Sequence, residues 1–79
     1  MSAPQADGTL DARGLRCPEP VMLLYKAMAG LASGDRLLVL ATDPTTQHDI
    51  PQFCRFLGHE LAQSEERDDE FRFILIKGT

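Results

Sequence analysis

The segment Cys17-Pro18-Glu19-Pro20 sets a thiol immediately ahead of the first helical pattern, in a chain with only one other cysteine. A helix start lowers a thiol's pKa through the peptide dipole, nearby cations add to the effect, and the thiolate is the nucleophilic form. Arg13 and Arg16 are close in sequence, so both influences are expected to act on Cys17, with Glu19 opposing them. Pro18 biases Cys17 towards an extended conformation, and Pro20 stiffens the turn behind it. The expected result is a thiol held outward on a rigid loop end. Cysteine also serves as a small buried hydrophobe. The local residues therefore leave two readings open, a reactive thiol and a structural strand-to-helix junction.

The other soft side chains offer less. Cys54 shares an apolar stripe with Ile50, Phe53 and Leu57 and is expected to be a buried structural thiol; the sharper alternative is a resolving partner for Cys17. There is no Cys-x-x-Cys dithiol. Cys17, His48, Cys54 and His59 lack the paired short spacings of a zinc site, and no glycine pattern suits a phosphate, so neither metal nor cofactor is expected. His48 reads as a surface residue, and His59 as one that meets the last helix carbonyls or water. Met22 and Leu23 fall off the first helical stripe, either because a short helix is apolar over a wide arc or because they form a docking patch beside the thiol.

The elements that must position these groups follow from periodicity. Thr9 to Arg13 alternates as a short strand ending at Gly14. Leu24, Tyr25, Met28, Leu31 and Ala32 follow the i, i+3, i+4, i+7 spacing of a core-facing helix, with Pro18 and Pro20 in its first turn and Gly34 at its end. Arg36 to Thr42 is apolar on both faces, as an inner strand should be. A second helix carries Ile50, Phe53, Cys54 and Leu57 and ends at Gly58. It starts either at an Asp49–Gln52 capping box, with Pro51 in the first turn, or near Thr45, with Pro51 inside. Glu60 to Glu66 and Phe71 to Lys77 read as a weak and a strong strand joined by the hairpin Arg67-Asp68-Asp69-Glu70. The order β-α-β-α-β-β predicts an α+β fold, a two-layer sandwich with both helices on one face of a four-stranded mixed sheet. The first two strands should be parallel through a right-handed crossover.

Composition excludes several classes. At 79 residues, 43% hydrophobic and 25% charged, the chain reads as one small globular domain over residues 9–79 behind a flexible leader over residues 1–8. Two cysteines are too few for a secreted disulfide framework, and nothing resembles a signal peptide or membrane span, so a reducing cytoplasm and a monomer without a membrane partner are expected. Eight basic against twelve acidic residues, net charge −4, disfavour direct nucleic-acid binding. The acidic run from Glu60 to Glu70 reads as a solvated hairpin.

The stretch Leu10-Asp11-Ala12-Arg13-Gly14-Leu15-Arg16-Cys17-Pro18-Glu19-Pro20 resembles the signature of the TusA/SirA family of small sulfur carriers. The stretch from Asp43 to Cys54, with its Asp49-Ile50-Pro51, is similar to the TusA branch, and with Phe71 to Gly78 the resemblance spans nearly everything after Gly8. It implies a βαβαββ sandwich and a persulfide-carrying Cys17, with Arg13, Arg16, Pro18, Glu19 and Pro20 as supporting residues. The implied donor is a cysteine desulfurase, to which the pyridoxal phosphate belongs. The implied acceptor is a TusBCD-type relay leading to 2-thiouridine at the tRNA wobble position. Such a sulfurtransferase-type carrier acts stoichiometrically and not as a turnover enzyme. Relatives deliver sulfur to sulfur oxidation or molybdenum-cofactor assembly, which is the alternative for the same thiol. A Cys-Pro redox or haem-sensing regulatory module is the alternative of another class.

Overall fold

The computed structural model describes residues 6–78. Its elements run β1 (Gly8–Ala12), α1 (Glu19–Ala29), β2 (Arg36–Ala41), α2 (Thr46–Leu57), β3 (Glu60–Arg67) and β4 (Glu70–Ile76). The four strands form one sheet in the order β1-β2-β4-β3. β1 and β2 are parallel, and the other two pairings are antiparallel. The expected two-layer α+β sandwich is therefore the observed fold.

Alternation along the two central strands makes the core. Leu37, Val39 and Ala41 of β2 lie directly across from Leu75, Phe73 and Phe71 of β4, and all six are buried. Leu24 and Met28 of α1 and Ile50, Phe53 and Cys54 of α2 join the same cluster, so both helices cover this one sheet face. Fully burying side chains such as Phe73, Leu24 and Ile50 contributes about 1.5–3 kcal/mol each. On the opposite face Leu38, Leu40 and Ile74 are only partly buried, which is why β2 reads as apolar on both sides. β3 is an edge strand with one half-buried apolar residue, Leu61, and an irregularity between Leu61 and Gln63. Its charges suit an edge that must not pair with another chain.

Several boundaries differ from expectation. β1 starts at Gly8 because Asp7 is already bonded to β2: its N–H donates to the Arg36 carbonyl at 2.7 Å, and its carboxylate accepts the Arg36 N–H at 2.9 Å. Gly8, the last residue of the expected leader, thus belongs to the sheet, while residues 1–5 lie outside the described part. α1 ends at Ala29 and not at Gly34. Lys77 Nζ donates to the Met28 and Leu31 carbonyls at 2.6 and 3.0 Å, and the Asp35 carboxylate takes the Ala32 N–H. These partners satisfy the end of the helix early and leave Leu31 and Ala32 in the connection. Tyr25, expected on the core stripe, is 51% exposed and meets Phe53 edge-on at 5.0 Å between ring centroids.

The second helix resolves the choice between two starts. It opens at Thr46 with Pro51 inside it, so Asp49 stands in the first turn and is not the cap. At the far end Gly58 adopts φ 79°, a left-handed conformation suited to glycine, and its N–H closes on the Cys54 carbonyl. At the β3–β4 hairpin, Asp68 and Asp69 take φ 53° and 63°. Positive φ at both central positions matches a type I′ turn, which Asp tolerates better than most residues.

Candidate functional site

β1 and β2 stop level with one another, Ala12 beside Ala41, so the segments leaving their C-terminal ends emerge side by side. Ligand-facing loops gather at this end of parallel strands. Gly14 N–H donates to Thr42 Oγ1 at 2.8 Å, and Cys17 N–H donates to Asp43 Oδ2 at 2.7 Å. The other Asp43 oxygen accepts the Thr45 N–H at 3.0 Å, and the Asp43 carbonyl accepts the Thr46 hydroxyl at 2.6 Å. One aspartate thus clasps the cysteine loop to the start of α2. The Thr45 and Cys17 amides hold its carboxyl below the usual carboxylate range, and the charge of Arg16 adds to this.

Cys17 is a free, exposed thiol, outward on its loop end. Its peptide bond to Pro18 is cis. Pro18 occupies the N-cap position of α1, Glu19 begins the helix, and Pro20 is buried against the core. The thiol donates to Asp49 Oδ2 at 3.4 Å. This contact corrects the expected electrostatics. The Cys17 thiol is pushed above its ordinary value, first by the hydrogen bond to Asp49, then by desolvation and the Asp49 charge, with Asp43 adding a little. Hydrogen bonding with Thr45 pulls the other way. A lowered thiol was expected from the helix start and from Arg13 and Arg16, with Glu19 opposing; the direction is instead set by carboxylates arriving from the β2–α2 side.

Arg13 is occupied elsewhere. Its guanidinium bonds both oxygens of Asp11 at 2.8 Å each and Glu70 at 3.2 Å, which ties the end of β1 to β4. Asp11 is lowered to about 2 by that partner. Arg16 reaches the site through its charge on Asp43.

Beside the thiol a groove of about 350 Å³ runs between the helices, lined by Pro18, Val21 and Tyr25 on one wall and Gln52, Phe53 and Phe56 on the other, with Cys17 and Asp49 at its polar end. Phe56 is 83% exposed, and Met22 on α1 is 62% exposed. Cys54 is buried, and burial raises its thiol to about 11. His59 Nδ1 accepts the Gly78 N–H at 2.9 Å, and burial lowers its pKa. Among the described residues, no group of three or more His, Cys, Asp or Glu is arranged to hold a metal ion.

Asp43, Thr45 and Asp49 were missed as site residues because Asp43-Pro44 reads as a turn and Asp49 as a cap. A signal was available: in a parallel pair with level ends, polar residues just after the second strand must face those just after the first.

The family described as sulfurtransferase TusA matches residues 8–77. Sulfur carrier protein TusA of Pseudomonas putida strain GB-1 is 54% identical over 71 residues, which cover 90% of this chain and 89% of that one. The corresponding protein of Pseudomonas entomophila strain L48 shows the same identity and coverage. Among solved structures, a SirA-like protein from Desulfitobacterium hafniense superposes with a TM-score of 0.80 at 26% identity, covering 91% of this chain and 99% of that one. With residues 8–77 matched and identity above half across nine-tenths of its length, this chain belongs to the TusA family of sulfur carriers.

Proposed function

We propose that Cys17 is the atom-carrying residue: it accepts sulfane sulfur from the persulfide of a cysteine desulfurase and passes it to a TusBCD-type relay protein, towards wobble 2-thiouridine in tRNA. The observation that carries this reading is a single exposed thiol at a clasped loop end, open to an apolar groove. The second cysteine is buried and cannot meet a partner without local opening.

Each transfer conserves atoms and electrons. The Cys17 thiol gives up its proton, and the thiolate attacks the terminal sulfur of the donor persulfide. A new S–S bond forms on Cys17 as the donor's S–S bond breaks. The donor sulfur leaves with both electrons of that bond and takes up a proton. The reverse roles apply at the acceptor. Nothing else is oxidised or reduced, so the protein needs exposure and docking more than a deep pocket. Exposed Met22 and Phe56 supply apolar surface on the two helices for such docking.

The test is to incubate the protein with a cysteine desulfurase and cysteine and weigh it intact. Wild type and Cys54→Ser should gain one sulfur atom, and Cys17→Ser none. Loading of Cys17→Ser, or no loading of wild type, overturns the reading. Cells lacking the protein should lose wobble 2-thiouridine; retained thiolation assigns the same thiol to another sulfur pathway.

A further inference from the structure

The thiol that must become a nucleophile is bonded, in the free protein, to a carboxylate. Asp49 stands in the first turn of α2, held by its own N–H to the Thr45 carbonyl at 2.8 Å, and is partly buried at the polar end of the groove. Among the described residues it forms no ion pair. The Cys17 S–H points its proton at Asp49 Oδ2. The hydrogen bond to the carboxylate exists only while the proton is on sulfur, so the contact favours the thiol over the thiolate.

We propose that Asp49 is a restraining and positioning residue for sulfur transfer: by accepting the Cys17 S–H it holds the empty carrier as a thiol and slows its reaction until that contact is broken. The inference rests on the carrier reading of Cys17 and adds a state-dependent element to it. In the loaded form Sγ has no proton to donate, and the terminal sulfur lies about 2 Å beyond it. Loading therefore costs the hydrogen bond, and discharge restores it. The groups that act on Cys17 are Asp49 from α2 and Asp43 and the Thr45 hydroxyl from the β2–α2 turn, with Arg16 from its own loop acting on Asp43; Tyr25 of α1 shares the groove, and Glu19 stands two residues on at the start of α1. Of these, Asp49 makes the hydrogen bond that most strongly retains the thiol's proton.

The test is the pH profile of Cys17 alkylation by iodoacetamide in Cys54→Ala protein, comparing Asp49 with Asp49→Asn, Asp49→Ala and Asp43→Asn. Both Asp49 variants should react severalfold faster at pH 7, with midpoints moved to lower pH, and Asp43→Asn should move less. A circular-dichroism melt checks that each variant is folded. Unchanged or slower reaction in both folded Asp49 variants overturns the proposal, as does a larger shift in Asp43→Asn. Desulfurase loading is scored separately by intact mass. If wild type is never loaded, the carrier reading fails even where the alkylation profile supports the restraint. If loading proceeds but the Asp49 variants titrate like wild type, only the restraint fails.

Discussion

Cys17 and Cys54 both hold their protons more tightly than an ordinary thiol, with different leading causes. Cys17 is exposed and is raised first by a hydrogen bond to the Asp49 carboxylate, with desolvation and carboxylate charge behind it. Cys54 is 3% exposed among Ile50 and Phe53 and is raised by desolvation alone. A shift made by one exposed contact can be undone by whatever displaces that contact. A shift made by burial is undone only when the core opens. The same chemical group is therefore conditionally inert at one end of α2 and structurally inert at the other.

The largest test of this contrast is alkylation of the native protein below pH 8. Cys17 should react faster than Cys54 by about a thousandfold or more, the factor implied by a domain stability of about 5 kcal/mol if Cys54 reacts only through opening. Peptide mapping after timed quenching reads the ratio, and comparable rates would dissolve the distinction. Next in size, Cys54→Ser should lower stability by about 1–3 kcal/mol, since a hydroxyl then replaces a buried sulfur. Urea unfolding measures this, while sulfur loading of Cys17 should be unchanged.

Asp43→Ala comes third. Removing the clasp frees the Cys17 and Thr45 amides, which should cost about 0.5–2 kcal/mol, as loss of a helix N-cap does. Faster hydrogen exchange at both amides is the accompanying sign. A pH-dependent effect lies in the alkaline limb. Because the folded state holds the Cys54 proton up to about pH 11, its contribution is fully present below the ordinary thiol range and fades as pH rises through about 11. Urea midpoints between pH 8 and 11 should therefore decline less steeply in Cys54→Ala. Least of all, Phe56→Ser should leave stability within about 0.5 kcal/mol, since that ring is mostly in water.

Much of this was legible beforehand because it rests on periodicity. Phe71, Phe73 and Leu75 alternate as a strand must, and Ile50, Phe53 and Cys54 recur at helical spacing; both patterns report one face of one element. What escaped was pairwise and non-local. Nothing in the spacing of Lys77 reveals that it closes the end of α1, forty-nine residues away from Met28. The electrostatics of Cys17 failed in the same way. Charges near in sequence point to Arg13, yet Arg13 turns to Asp11 and Glu70 while Asp49 arrives from thirty-two residues on.

The strand order carries a consequence for how the protein comes into being. β4, the last described element, sits in the middle of the sheet between β2 and β3. Contacts that span long sequence separations must form before the sheet is complete, which slows nucleation. While a chain is still being synthesised, β2 lacks one neighbour and Val39 lacks Phe73, its cross-strand partner. The clasp that presents Cys17 is thus encoded early but supported late, and a nascent or truncated chain should display the motif without being able to hold it.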